Sequence, residues 1–366
     1  MNNLKKYNKN IMIVTGGTGG HIYPALTLGK YLNKKFSNVS FITDLRGKKN
    51  ENLANLHPKI INVKGFVGKS YFQKIISILL MLVSLLRVLV FLKSKKPDIV
   101  LGFGSYVQVP VILAAKILKI NIILHEGNLI LGKANKYFWK FAKVRTSAFN
   151  IINSSNDFKV TGMPVRPEIE GLFTRNYKNS QNSKKFNILI LGGSLGALVL
   201  SKNICEQICH LPTKIKKKLH IMHQSKMEDI DYINNTYLKN KVSSEVNTYF
   251  SDIHNKLKKA TLVICRAGAS TISENLIAGL PAIYVPLSNS ADNHQNYNAD
   301  MIKKNKAGWM MLEDEVSGPQ FLKLLKKLVS SGKLLEKISI NCKKISNPYA
   351  SKNLCKLVLG VLSEEF

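Results

Sequence analysis

The sequence predicts an α/β protein made of two doubly wound halves, each a parallel sheet layered with helices. Three observations carry that expectation. An apolar, β-branched run ends in a glycine turn and leads into helical periodicity at residues 11–24, and the same theme restarts at 186–197. Short apolar strands alternate with helical stretches along both halves. A polar Asn-, Ser- and Lys-rich stretch at 174–185 separates them, as a linker would.

The first turn contains Gly16, Gly17, Thr18, Gly19, Gly20 and His21, with Pro24 and the apolar Ala25, Leu26, Leu28 and Leu32 behind it. Glycines permit positive φ and close approach of another molecule. A helix N-terminus with free N–H groups suits an oxyanion or phosphate. His21 sits at the lip, where an imidazole can take a proton near neutral pH. The spacing is not the G-x-G-x-x-G dinucleotide fingerprint, and the nearest acidic residue after the next strand, Asp44, lies among lysines. It is not a Walker A loop either, since no Gly-Lys-Ser/Thr closes it; Gly68, Lys69 and Ser70 would need a glycine at Val63.

Residues 39–43 and 60–63 read as the next strands, followed by a glycine-broken loop at 64–70. Residues 75–92 then run apolar for 18 positions with one charge, Arg87. Strand signals on both sides make this a βαβ crossover helix rather than a membrane span. Its all-round apolarity and its flanking Lys69, Lys74, Lys93, Lys95 and Lys96 favour a helix that packs the sheet on one side and touches lipid on the other. A strand at 97–102 enters a second glycine turn, and a strand from Asn121 ends in His125, Glu126, Gly127 and Asn128. Ligands of open parallel sheets collect at the carboxyl ends of strands. His21, residues 102–105 and residues 125–128 are all expected there.

The second half opens with a strand at 186–191 and the turn Gly192, Gly193, Ser194, Leu195, Gly196. Strands follow at 219–223 and 262–265. A third glycine turn, at 266–271, offers Ser270 and Thr271 as caps and phosphate donors. Its helix carries Glu274 and ends before Pro281; a strand at 282–286 and the polar loop at 292–296 come next.

The formal charge is +32, from 54 Lys and Arg against 22 Asp and Glu. Such a field favours anionic ligands or an anionic membrane face. No nucleic-acid motif or aromatic-basic platform accompanies it, and lysine is abundant throughout, so nucleic acid is not expected as a partner. The five cysteines form neither a disulfide framework nor a zinc pattern, and Cys205 and Cys209 read as one buried helix face. Asp229 and Asp231 match the letters of a metal-binding Asp-x-Asp but sit in a Lys- and Asn-rich stretch, which reads as a solvated helix face. The N-terminus is polar and basic without a secretory pattern, so a cytoplasmic location is expected.

Taken in order, residues 16–24, 97–106, 125–128, 164–166, 192–197 and 265–298 resemble the MurG family of GT-B glycosyltransferases along nearly the whole chain. The resemblance implies two Rossmann-like domains facing across a cleft: residues 1–165 for the acceptor and membrane, 166–345 for the UDP-sugar, and a helix at 346–366 returning to the first domain. It implies inverting, metal-independent transfer of N-acetylglucosamine from UDP-N-acetylglucosamine to an undecaprenyl-diphosphate-linked N-acetylmuramyl pentapeptide. That is the lipid I to lipid II step of peptidoglycan synthesis, with no cofactor and the enzyme peripheral on the cytoplasmic face of the inner membrane. Family roles fall on Arg166 and the Phe250 backbone for uracil and on Glu274 for the ribose. Ser194, Ser270 and Thr271 fall to the phosphates, beside Ile272 and Ser273 of the same helix start. Asn128, Ala269 and Gln295 fall to the sugar, and Thr18, Gly19 and Gly20 to the diphosphate and acceptor. His21 is the candidate base, Glu126 its rival, and Tyr106 a residue that positions the acceptor. Leu195 and Gly127 stand where the family usually has glutamine.

Two readings from other classes compete. A nucleotide-dependent oxidoreductase needs the alternate-glycine fingerprint, which is missing. A non-catalytic binding scaffold predicts loss of His21 or Glu274, and both are present. A GT-B transferase for another lipid acceptor differs only in loop shape.

Overall fold

The computed structural model describes residues 6–17, 19–63, 70–152, 157–177, 185–192 and 197–364. The chain divides into two units, Met1–Arg166 with Tyr349–Phe366, and Pro167–Pro348.

The first unit is a seven-stranded sheet: β1 (Tyr7–Val14), β2 (Phe36–Thr43), β3 (Lys59–Ile60), β4 (Ile99–Gly102), β5 (Asn121–Glu126), β6 (Val144–Ser147) and β7 (Lys159–Val160). Every pairing is parallel, in the order β3-β2-β1-β4-β5-β6-β7. The chain winds outward from β1 through β2 to β3, then crosses back to β4 on the other flank of β1. β1 and β4 therefore bracket a switch point, where a crevice opens beyond the strand ends. Val14 lies opposite Gly102, and the Phe103 N–H donates to the Val14 carbonyl at 3.1 Å. The turns leaving β1 and β4 thus start side by side.

Residues 11–14 of β1 and all of β4 are apolar on both faces because helices cover both, as parallel sheets require. One face buries Ile11, Ile13, Phe41 and Leu101 under the Gly19–Leu32 helix and the last helix, Ala350–Leu362. The other buries Met12, Val14 and Val100 under Val88, Leu92, Val111 and Ile112. The Asn353 side-chain amide donates to the Thr161 carbonyl at 3.3 Å, fastening the last helix to the first unit.

The crossover helix runs Tyr71–Lys95. Ser77, Met81, Ser84, Val88 and Leu92, spaced three or four apart, are its buried stripe. Ile78, Leu79, Leu82, Val83, Leu86 and Val90 are exposed, Leu86 by 64% and Val90 by 72%. The helix is long and apolar enough to cross a bilayer, yet one face belongs to the sheet's core.

The second unit repeats the plan with β8 (Phe186–Leu191), β9 (Leu219–Gln224), β10 (Ser243–Asn247), β11 (Leu262–Cys265), β12 (Ala282–Tyr284) and β13 (Trp309–Met310). The order is β10-β9-β8-β11-β12-β13, all parallel, with the switch point between β8 and β11. Sequence periodicity does not announce β6, β7, β10 or β13. These lie toward the sheet edges and are two to five residues long, too short for a pattern.

Each unit buries a histidine whose ring burial pushes its pKa down to about 3. His125 bonds through Nδ1 to Thr146 Oγ1 at 3.0 Å. His223 bonds to Ser201 Oγ at 2.5 Å and to the Tyr237 hydroxyl at 3.0 Å. Unfolded histidines titrate near 6.5, so below that pH the unfolded chain binds protons that the folded chain refuses. This stability is complete above about pH 6.5 and is lost as pH falls toward 3. Each histidine should cost about 2 kcal/mol between pH 7 and 5. Denaturant midpoints measured across that range should fall; a flat profile would contradict the assignment.

Candidate active site

At the end of β1 the chain turns through Gly16 and Gly17. A Cβ on Gly16 would meet Val107 Cγ2 at 2.4 Å, so only glycine fits. Gly17 has φ +81, a conformation glycine adopts without strain. The buried Asp44 carboxylate, directly after β2, accepts from the Gly17 N–H at 3.3 Å and the Gly47 N–H at 2.8 Å. It also pairs with Arg46 Nε at 3.1 Å. Asp44 is therefore a tether for the glycine turn, not one charge among loop lysines.

His21 lies on the first turn of the Gly19–Leu32 helix, half-buried, with Nδ1 2.8 Å from the Phe103 carbonyl. A carbonyl only accepts, so Nδ1 carries the proton and Nε2 is the basic nitrogen of the neutral ring. The close approach depends on Gly104, at φ +90; a Cβ there would sit 3.2 Å from His21 Cε1. Ser105 follows at φ +68, uncommon for a side-chain-bearing residue, and Tyr106 is half-buried beside it.

Glu126 ends β5 almost fully buried. Its Oε1 accepts from the Asn128 N–H at 2.9 Å and the Asn128 amide at 3.2 Å. Its Oε2 accepts from the Gly132 N–H and the Asn135 amide, both at 2.9 Å. Four donors occupy the carboxylate, which suits it to shaping the loop that carries Asn128. β1, β4 and β5 are neighbours, so His21, Tyr106, Glu126 and Asn128 all stand at the carboxyl edge of one sheet. Gly19 and Gly20 open the helix beneath them; Thr18 lies outside the described residues.

In the second unit, β8 leads into Gly192, and Ser194 and Leu195 lie outside the described residues. β11 leads into Arg266, whose guanidinium donates to the Val285 and Pro286 carbonyls at 3.3 Å each and pairs with Glu313 at 2.6 Å. The Asn298 amide donates to the Ala267 carbonyl at 3.1 Å. These bonds fix the turn in which Gly268 caps the Ala269–Ile277 helix. Ser270, Thr271 and Glu274 are half-buried on that helix, whereas the side chains of Ala269, Ile272 and Ser273 pack inward. Any contact of Ile272 with a ligand is therefore a backbone one. Gln295 Oε1 accepts from the Leu287 N–H at 3.0 Å, which anchors the loop after β12. The Phe250 ring is buried under the Lys256 ammonium, 5.1 Å from its centroid. Arg166 groups with the first unit, its guanidinium 5.9 Å from the Tyr23 ring centroid.

One sequence expectation is corrected. Asp229 is not on a solvated face: it is buried and pairs with Lys202 at 2.8 Å, while Asp231 is exposed. Among the described residues no three His, Cys, Asp or Glu side chains cluster as metal ligands would. Asp44, Gln108 and Asn135 brace the turns of the first unit, and Arg266 and Asn298 brace the turn after β11 in the second; none of the five is a candidate site residue from sequence. Only Asp44, placed after a strand, left a readable signal.

The chain matches the glycosyltransferase family 28 N-terminal domain over residues 11–146 and the C-terminal domain over residues 187–353. A relative from Rickettsia bellii (strain RML369-C) is named UDP-N-acetylglucosamine--N-acetylmuramyl-(pentapeptide) pyrophosphoryl-undecaprenol N-acetylglucosamine transferase. It is 39% identical over 340 residues, covering 91% of this chain and 94% of its own length. A relative of the same name from Wolbachia pipientis subsp. Culex pipiens is 34% identical over 339 residues, with 91% and 94% covered. The crystal structure of Acinetobacter baumannii MurG superposes with a TM-score of 0.79 at 27% identity, covering 96% of this chain and 99% of that one. A UDP-N-acetylglucosamine 2-epimerase, 16% identical with a TM-score of 0.64 over 98% of both chains, shares the fold alone. The two sheets with their glycine turns, and kinship that runs through both, establish that the chain belongs to the MurG family of glycosyltransferase family 28, with the GT-B fold.

Proposed function

We infer that this chain is an inverting N-acetylglucosaminyltransferase. It moves the sugar from UDP-N-acetylglucosamine to the muramyl C4 hydroxyl of an undecaprenyl-diphosphate-linked N-acetylmuramyl pentapeptide, the acceptor class named in its relatives. The observation that carries the reading is the His21 imidazole, proton-bearing at Nδ1 and basic at Nε2, held on a glycine turn at a sheet switch point.

In the proposed reaction His21 Nε2 takes the hydroxyl proton as the oxygen attacks the anomeric carbon from the face opposite UDP. The α-linked donor becomes a β-linked product in one displacement, and the pair of electrons leaves with UDP. Glycine-turn N–H groups and helix starts stabilise the departing diphosphate: Ser194, Ser270 and Thr271 on the second unit. Glu274 accepts from the ribose hydroxyls. Arg166 and the Phe250 backbone receive uracil. Asn128, Ala269 and Gln295 hold the sugar, Thr18, Gly19 and Gly20 face the donor's diphosphate and the acceptor, and Tyr106 positions the acceptor. The apolar face of the Tyr71–Lys95 helix, beside Lys93, Lys95 and Lys96, rests on the anionic cytoplasmic leaflet where such an acceptor resides.

The deciding experiment is transfer of labelled N-acetylglucosamine from its UDP form to a short-chain lipid-linked muramyl pentapeptide. A β-linked disaccharide should form at the same rate with and without EDTA; no product would end the proposal. In the same assay Glu274→Ala should raise the donor KM roughly thirtyfold, equivalent to about 2 kcal/mol of charge-assisted hydrogen bonding. A 2′-deoxyribose donor should lose much less. An unchanged KM would remove Glu274 from the ribose site.

A further inference from the structure

A row of buried amides runs from His21 to Glu126. His21 Nδ1 donates to the Phe103 carbonyl at 2.8 Å. The N–H of the same peptide group, on Gly104, donates to Gln108 Oε1 at 2.8 Å. Gln108 Nε2 donates to Asn135 Oδ1 at 2.7 Å. Asn135 Nδ2 donates to Glu126 Oε2 at 2.9 Å and to the His125 carbonyl at 3.2 Å. Gln108 is 0% exposed, Asn135 2% and Glu126 3%.

The amide orientations follow from chemistry. A peptide N–H only donates, so Gln108 must turn its oxygen to Gly104. A carboxylate and a carbonyl only accept, so Asn135 must turn its nitrogen to Glu126 and His125. Its oxygen then faces Gln108, which has a nitrogen to offer. Every link therefore donates in one direction and the row ends on a negative charge.

Aligned amides in a dry interior polarise one another. Their oxygen ends point toward the His21 ring, the arrangement that fixes one tautomer and favours a proton arriving at Nε2. Two glycines make room for the row. A Cβ on Gly102 would lie 2.7 Å from Gln108 Oε1, and one on Gly104 would crowd His21. Burying a carboxylate is unfavourable unless donors surround it, and Glu126 has four. Its other oxygen holds Asn128.

We propose that Gln108, Asn135 and Glu126 are positioning residues that hold His21 in its basic tautomer through this row, linking the base to the loop that carries Asn128. The role rests on His21 being the base, as inferred above. It also gives the two rival carboxylate and imidazole groups one joint task.

The test uses the full chain and four variants: Gln108→Met, Glu126→Gln, the double, and His21→Ala. Gln108→Met should lower kcat by about ten- to a hundredfold, the usual effect of removing an orienting partner, with the donor KM within about twofold. Glu126→Gln keeps the side chain's size and carries the test should Gln108→Met fail to fold; it too should lower kcat. Gln108 and Glu126 are joined through Asn135, so the double variant should be no slower than the slower single, because one row is already broken. Nitrogen NMR of histidine-labelled protein gives a readout independent of turnover: the His21 ring should be a pure Nδ1–H tautomer in the native chain and a mixture in Gln108→Met. Multiplying losses in the double, or native kcat with an unchanged ring signal in Gln108→Met beside an inactive His21→Ala, would overturn the row's role alone. Native-like turnover by His21→Ala would overturn the base assignment and this role with it.

Discussion

Replacing His21 with alanine is expected to slow sugar transfer by about three orders of magnitude and to leave UDP-N-acetylglucosamine binding within a fewfold of native. The size follows from removing a positioned base, which contributes typically about 10² to 10⁴ in rate. The selectivity follows from the division of labour: the phosphate, ribose and most sugar contacts proposed for the donor lie on the second unit, Arg166, Asn128 and the turn at 18–20 are the first unit's share, and His21 belongs to none of them. Alanine also leaves the Phe103 carbonyl without its ring donor, a small local change beside the loss of Nε2. Equilibrium binding of the donor and single-turnover transfer, measured on the same preparation, separate the two effects. A variant that binds donor and still turns over normally would move the base elsewhere. The four donors on Glu126 make it a poor replacement, since taking a proton there would disrupt the bonds that hold Asn128 and Gly132.

The second large effect is on membrane attachment. Changing Leu82, Leu86 and Val90 together to asparagine should lower partitioning into anionic phospholipid vesicles by about a hundredfold. All three are exposed on the Tyr71–Lys95 helix, clear of its buried stripe. Removing each from lipid contact forfeits about 1 kcal/mol of apolar burial, and roughly 3 kcal/mol is about two decades in an equilibrium. Stability should hardly change, because Met81, Ser84, Val88 and Leu92 keep the helix on the sheet. Raising the salt should weaken the native chain's binding further, through Lys93, Lys95 and Lys96. Unaltered partitioning would assign this face to something other than lipid.

Both experiments probe features that differ in how far the chain's letters reveal them. The glycine turn at 16–20 and the apolar strand before it are local: β-branched runs, turn glycines and a following helical period can be read within 14 residues. The apolarity of 75–92 was equally plain, but periodicity could not say which side met the sheet, because apolar residues surround the helix. The Ser77–Met81–Ser84–Val88–Leu92 stripe is set by the crossover from β3 to β4. His21 could be picked out as a base, but its tautomer depends on a carbonyl 82 residues away. Glu126 could be picked out as a rival; only its partners, two of them six and nine residues on, reveal that its oxygens are occupied.

The amino-acid sequence by itself determined two doubly wound halves, a glycine turn after the very first strand, and the family, because strand, turn and helix preferences act between near neighbours and recur with a fixed period. Tertiary structure alone decided which face of the long helix is buried, that Asp229 is internal, and that Asp44, Gln108 and Asn135 bond to Gly17, Gly104 and Glu126. A polar side chain's role is set by the donors and acceptors that folding brings within 3 Å of it, and those come from distant parts of the chain that no local pattern connects.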